Sequence, residues 1–322
     1  MRLRALPAVL VLLLAAWSAE ARVGRVQTVG VTVADADRSV AFYRDVLGFE
    51  VVDDVEVSGE AYERLYDVFP VRMRVVRLRL GREELELTEY LTPRGRPAPV
   101  DARSNDLWFQ HVAIVVRDMD AAYVVVRRHR VMQVSPEPQR LPDWNPQAGG
   151  IRAFYFRDPD GHPLELIWFP PGKGDVRWQE PATGLFLGID HTAIAVDDTD
   201  ASLAFYRDRL GMRVAGSSDN HGPEQERLNA VRGAHLRITT LRAPHGPGIE
   251  LLEYLTPANG RPYPADARAN DLLHWQTRLV AHDAEAMAAF GAAVRLPGKP
   301  MGFERAVGLR DPDGHFVEVV TP

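Results

Sequence analysis

The chain repeats itself, and the repeat constrains its fold more than any other feature. Val26–Gly48 reads VQTVGVTVADADRSVAFYRDVLG, and Gly188–Gly211 reads GIDHTAIAVDDTDASLAFYRDRLG. Each is a strand-like apolar run, an Asp-rich turn and a segment closed by glycine. In the second copy that segment carries apolar residues at helical period: Leu203, Phe205, Tyr206 and Leu210. Further echoes follow in the same order. Glu89-Tyr90-Leu91-Thr92-Pro93 returns as Glu253-Tyr254-Leu255-Thr256-Pro257. Asp101-Ala102-Arg103 through Asp106-Leu107 returns as Asp266-Ala267-Arg268 through Asp271-Leu272. Arg157-Asp158-Pro159-Asp160-Gly161-His162 returns as Arg310-Asp311-Pro312-Asp313-Gly314-His315. Such a chain is read as copies of one unit before anything else.

Each copy divides again. From Val26 to Thr92 the pattern predicts a strand (26–33), a helix (37–47), a strand (49–57) and a short helix (61–68). Two further strands (72–80 and 84–91) follow, turning at Gly81-Arg82. This is a βαβββ module. A Pro-rich connector, 93–102, leads to a second module over 105–170. Its last two strands are joined by Asp-Pro-Asp-Gly, in which proline fixes φ and glycine accepts φ > 0. A Pro/Gly-rich linker at 170–184 precedes modules at 186–257 and 270–322. The expected fold is α+β: four βαβββ modules forming two curved, mostly antiparallel eight-stranded sheets with helices outside. The expected domains are 26–170 and 186–322.

The first residues differ from the rest. Arg2 and Arg4 precede an apolar run from Ala5 to Trp17, then Ser18-Ala19-Glu20-Ala21. A basic start, an apolar stretch too short to span a bilayer and an A-x-A site predict a cleaved signal peptide over 1–21. The expected location is periplasmic or secreted, with no membrane attachment after cleavage. The absence of cysteine removes disulfides, thiolate chemistry and lipid attachment. A net charge of −6 offers no electrostatic footprint for nucleic acid. The expected partner is a small-molecule substrate, and the expected state is a monomer or homodimer.

Two positions per module point to chemistry. Thr28, His111, His191 and Gln276 each stand seven residues before an aspartate (Asp35, Asp118, Asp198 and Asp283) near the start of a module's first strand. Glu86, Glu165, Glu250 and Glu318 each stand between apolar residues in the last strand. A glutamate there is costly unless it is paired, ligated or turned to solvent. Four in register, each matched to a polar first-strand residue, favour ligation. Imidazole nitrogen and carboxylate oxygen suit one divalent ion, Zn, Ni, Mn or Fe. His162 and His315 read as hairpin surface residues. His274, Trp108, Trp144 and Trp275 are further candidates for lining a pocket.

The repeated strand–Asp-turn–helix with Phe-Tyr-x-x-x-Leu-Gly, the Asp-Pro-Asp-Gly-His hairpin and the terminal Glu strand resemble the vicinal oxygen chelate superfamily. That group includes glyoxalase I, bleomycin-resistance proteins and extradiol dioxygenases. The resemblance covers nearly all of 26–322. It implies a metal held by His or Gln, Glu, His and Glu, with a glutamate, Glu165 or Glu318, as general base. Threonine is a poor ligand, so the site containing Thr28 is expected to be dead or metal-free.

Which modules pair is open in sequence. Crossed pairing (two with three) assembles His111, Glu165, His191 and Glu250, and leaves Thr28, Glu86, Gln276 and Glu318 together. Tandem pairing assembles His191, Glu250, Gln276 and Glu318. The uneven ligand quality under crossed pairing, as decay of one copy would leave it, favours that arrangement. The functional expectation is a secreted, glyoxalase-like, metal-dependent lyase or isomerase acting on a small substrate with two neighbouring oxygens. A metal-free sequestration protein and an Fe(II) extradiol dioxygenase are the alternatives. Export argues against a glutathione conjugate, a cytosolic substrate.

Overall fold

The structure is a computed structural model that describes residues 22–181 and 183–321. The predicted signal peptide lies outside the described residues. Module one comprises β1 (Val23–Val33), α1 (Ala36–Asp45), β2 (Glu50–Ser58), α2 (Glu60–Tyr66), β3 (Arg72–Leu80) and β4 (Glu83–Thr92). Module two comprises β5 (Gln110–Val116), α3 (Met119–Arg128), the short β6 (Met132–Gln133) and β7 (Gln139–Arg140), then β8 (Arg152–Arg157) and β9 (Pro163–Trp168). Module three comprises β10 (Phe186–Val196), α4 (Thr199–Leu203) running into a π-helical turn, β11 (Arg213–His221), α5 (Pro223–Asn229), β12 (His235–Arg242) and β13 (Gly248–Thr256). Module four comprises β14 (Trp275–Ala281), α6 (Ala284–Ala288), β15 (Val294–Arg295), β16 (Arg305–Arg310) and β17 (Phe316–Thr321).

The four aspartates that align the repeats are helix N-caps. The side chains of Asp35, Asp118, Asp198 and Asp283 accept from backbone N–H groups of the first turn of α1, α3, α4 and α6. Each satisfies a donor that a helix start otherwise leaves orphaned. The cap fixes where every first strand must stop and its helix must turn back.

The modules pair crosswise. One sheet runs β15-β16-β17-β14-β1-β4-β3-β2, joining modules four and one, and the other runs β11-β12-β13-β10-β5-β9-β8-β6, joining three and two. In each, the two first strands meet antiparallel at the centre, and each lies parallel to its own module's last strand. All other pairings are antiparallel, and β7 hangs on β8. Among the described strands, no tandem pairing of modules three and four occurs within a sheet.

Tyrosines from the repeated Phe-Tyr-Arg-Asp motif clasp the turns of the following module. Tyr43 donates to Asp158 at 3.1 Å and Tyr206 to Asp311 at 3.1 Å. The same aspartates accept from His162 Nδ1 at 2.8 Å and His315 Nδ1 at 2.9 Å. His162 and His315 are therefore buried, not surface residues as the sequence reading had them. The turn aspartate draws each imidazole inward, and the module-one and module-three helices roof it.

The two sheets differ in what fills them. Between modules one and four, Tyr62, Leu65, Tyr66, Leu296, Met301, Phe303 and Phe316 make a packed core. Between modules two and three, Phe109, Tyr155, Leu228, Leu252 and Tyr254 line a looser wall, beside a cavity of about 200 Å³.

Candidate metal centre

The site grows from the central strand pair of the module two–three sheet. In register, Ala193 of β10 faces His111 of β5, and His191 faces Ala113. In the flanking parallel strands Ala193 stands beside Glu250 and Ala113 beside Glu165. Because side chains alternate along a strand, this register puts two imidazoles and two carboxylates on one side of the sheet. Alanines separate them and leave room for the rings to lean together.

Ligand atoms of His111, Glu165 and His191 all lie within 4.8 Å of one another, and all three residues are buried. His111 Nε2 is 3.0 Å from Glu165 Oε2. His191 Nε2 is 3.5 Å from that oxygen and 3.4 Å from Glu250 Oε2. Thr240 donates to the other Glu250 oxygen at 2.8 Å. Glu165 and Glu250 both face the cavity.

His191 is oriented from behind. Its Nδ1 donates to Asp190 at 3.0 Å, which turns Nε2 into the cluster as the nitrogen that would ligate a metal on losing its proton. Asp190 is itself held by Trp178 Nε1 at 2.8 Å and an Arg242 nitrogen at 2.9 Å. Trp178 belongs to the linker between the halves, so the linker closes over the back of the site. Burial pushes the Asp190 carboxyl up, but His191 and Arg242 outweigh it and hold the group well below the usual range. Glu165 behaves likewise: burial raises it, and the two imidazoles bring it down to about 2. Burial lowers His191, and Glu250, Asp190 and Glu165 together raise it well above an ordinary imidazole.

The donor set fits a divalent cation. Nitrogen and oxygen ligands about 2.0–2.2 Å from one tetrahedral ion stand about 3.4 Å apart, and the His191 contacts to both glutamates have that spacing. A buried and a half-buried carboxylate, Glu165 and Glu250, converging beside imidazoles also leave negative charge that a cation would neutralise.

A sequence profile of the Glyoxalase/Bleomycin resistance protein/Dioxygenase superfamily matches residues 25–166 and again residues 188–319. The chain belongs to this superfamily. Among its relatives, a 2-epi-5-epi-valiolone epimerase from Actinomyces sp is 37% identical over 48% of this chain and 88% of its own. A probable chloroplastic lactoylglutathione lyase from Arabidopsis thaliana is 26% identical over 88% of this chain and 68% of its own. Glyoxalase I from Zea mays shares the fold, with a TM-score of 0.59 at 19% identity over 92% of each chain.

In the superfamily's own terms the second sheet holds the counterpart positions, and they are closed. By register Thr28 corresponds to His191, Gln276 to His111, Glu86 to Glu250 and Glu318 to Glu165. Thr28 does not turn to these groups; its hydroxyl donates to the Glu84 carbonyl at 3.0 Å. Gln276 donates to Glu86 at 2.9 Å, leaning over Gly30, where a Cβ would meet its Cγ at 2.6 Å. Between the two glutamates lies the Arg278 guanidinium, fully buried. It donates to Glu86 at 2.8 Å and also pairs with Glu318. Tyr66 donates to Glu318 at 3.0 Å, and the Phe303 ring lies 4.6 Å from the guanidinium carbon. A tethered cation thus stands among the carboxylates where the other sheet offers open ligands. Glu318, a candidate base under tandem pairing, has its carboxylate committed here.

The other sequence candidates fall elsewhere. His274 is buried against Phe316, and burial pulls its imidazole down to about 3. Trp108 and Trp275 line a cavity of about 30 Å³ between the halves, and Trp144 stacks on His221. Sequence reasoning missed Asp190, Trp178, Thr240, Arg242 and Arg278. Arg278 carried a readable signal, an arginine inside a strand otherwise fit for burial. Asp190 carried only its adjacency to His191.

Proposed function

We propose that the chain is an exported, metal-dependent lyase or isomerase whose site is His111, Glu165, His191 and Glu250. The observation that carries the reading is the convergence of two imidazoles and two carboxylates beside a cavity that His191, Glu165 and Glu250 line, with His191 oriented by a buried aspartate. A divalent ion bound there would act as a Lewis acid on neighbouring substrate oxygens and stabilise negative charge next to a carbonyl. The chain's own residues supply the proton transfer. Glu165 lies buried between two imidazoles, while the Glu250 side chain is 21% exposed. Glu250 is therefore the better placed base. It takes the proton from the carbon beside the carbonyl, the electron pair stays on the substrate, and a proton returns to the same or the neighbouring atom.

The epimerase and lyase names of the relatives support this class of reaction. The dioxygenase alternative calls for two histidines and one carboxylate around Fe(II), and the second carboxylate here disfavours it. A metal-free sequestration role is the remaining rival. The test is elemental analysis of protein purified without added metal and again after reconstitution, paired with His191→Ala. About one equivalent, lost in the variant, supports the proposal; no metal after reconstitution overturns it. Export is tested separately. N-terminal sequencing of protein from the envelope or medium should begin at Arg22, and intact Met1 in the cytosol would overturn it.

A further inference from the structure

We infer that the cavity above the metal centre takes an uncharged, polyhydroxylated carbonyl compound the size of a single six-membered ring. This rests on the proposed metal site and adds the substrate class.

The first observation is the charge of the walls. Among the described lining residues there is no lysine and no arginine, while Glu165, Asp190 and Glu250 all contribute to the lining. Cations on adjoining segments make their hydrogen bonds to the protein itself. Lys173 Nζ donates to the carbonyls of Pro146 and Gln147. Arg242 is held by Asp190, and Arg140 by Asp143 at 2.6 Å. A carboxylate or phosphate placed away from the metal end of the cavity would find no lysine or arginine in the lining to meet it, and burying an unpaired charge is strongly unfavourable.

The second observation is the polar part of the cavity lining beyond the metal ligands, built from Gln147, Ser217, Ser218, Asn220 and Gln225. Its amides form a directed chain. Asn145 donates to Asn220 at 2.8 Å, Asn220 to Gln225 at 3.0 Å, Gln225 to Asn229, and Asn229 to the Tyr254 hydroxyl. Each amide nitrogen carries two N–H groups, so Asn220 and Gln225 use one each in this chain and keep a second. Neutral amides and hydroxyls suit hydroxyl groups, which both donate and accept. The remaining surface is aliphatic, with Ile151, Ile167, Ile238 and Leu252, and suits the C–H face of a ring. The volume of about 200 Å³ is below the ~300–1,000 Å³ of sites for drug-sized ligands, and it excludes a tripeptide conjugate lying wholly inside.

The test uses 2-keto-myo-inositol as the neutral probe and 5-keto-D-gluconate as an anionic probe of similar size. Calorimetric titration of each is run on the full mature chain, with metal content measured on the same samples. The expected result is binding of the neutral ketone at least tenfold tighter than the anion. Ser218→Arg, which places a cation on the polar lining, should reverse that order while metal content stays the same. Equal or tighter binding of the anion by the wild type overturns the inference, and so does binding of neither probe at full metal occupancy. If no metal binds, the metal proposal falls instead, and the preference of the metal-free chain between the two probes still decides the charge class.

Discussion

Replacing Arg278 by methionine tests whether the tethered cation is what makes the closed sheet stable. Arg278 is fully buried, as are Glu86 and Glu318 on either side of it. Removing one member of a buried ionic group strands the others, and the cost is about 3–5 kcal/mol. The Phe303 contact is lost as well, which places the expectation at the upper part of that range. The assay is urea denaturation followed by tryptophan fluorescence at pH 7 and pH 4. The sign with pH follows from the stranded carboxylates. Burial already raises the Glu318 carboxyl, and without the guanidinium that opposes this its folded pKa lies further above the unfolded value of about 4.3. The penalty is then absent below the unfolded pKa and grows as pH rises through the folded one. The variant should therefore approach the wild type in acid and fall furthest behind at neutral pH. Adding Glu86→Leu and Glu318→Met should recover most of the loss, because an apolar set of similar volume replaces an ionic one at little cost. A loss below about 1 kcal/mol at pH 7, or one that does not shrink at pH 4, would refute the reasoning.

Three other outcomes are expected. Elemental analysis should give about one divalent ion per chain, and chelator competition should show His111→Ala weakening it at least 10–100-fold while Gln276→Ala leaves it unchanged; the reverse pattern would place the metal in the other sheet. Asp190→Asn should weaken the metal about 10–100-fold without unfolding the chain, since it removes the charge that orients His191 and leaves one oxygen for Trp178, His191 and Arg242 together; an unaltered affinity in the same competition assay would deny Asp190 that role. Burial lowers His162 but Asp158 leaves it raised, and burial raises Asp158 but His162 leaves it lowered. Their stabilisation should thus fade as pH falls through the lowered Asp158 pKa and again as pH rises through the raised His162 pKa, and a thermal-melt pH profile of His162→Gln should lack the alkaline fade.

Much of the fold was legible because the repeats exposed their own grammar. The aspartate seven residues after each candidate ligand turned out to be the N-cap that ends the first strand's run, so aligning on it aligned the strands. The last-strand glutamates were legible because a carboxylate between two apolar neighbours is costly without a partner. His111, Glu165, His191 and Glu250 do stand together. The burial of His162 and His315 was not legible. A histidine after a turn glycine looks exposed until a tyrosine from another module reaches the turn aspartate, and that contact is long-range. Module two also departs from the repeat: where module three has α5, residues 134–150 carry only the two-residue β7 and are otherwise irregular chain pinned by Asn145. Nothing local in that stretch announces that it walls the cavity.

The two sheets together show how one backbone plan supports opposite electrostatic solutions. Both bring two glutamates from the last strands against the central strand pair, and two buried carboxylates cannot both stay ionised without a cation nearby. The module two–three sheet keeps imidazoles at both first-strand positions and alanine at 113. Its negative charge is left to the imidazoles and, on the proposed reading, to a bound divalent ion. In the module one–four sheet threonine and glutamine replace the imidazoles, and the residue in register with Ala113 is Arg278. That single change supplies a permanent charge, and the cavity space is taken by Phe303, Met301 and Tyr66. The arginine requires loss of the histidines, because a guanidinium and imidazoles poised for a metal would compete for the same carboxylates. The small residue at Gly30 is what lets Gln276 lean aside. Restoring Ala at 278 alone would therefore remove the cation without restoring a site. Thr28 points its hydroxyl at a backbone carbonyl, and only Gln276, Glu86 and Glu318 would remain.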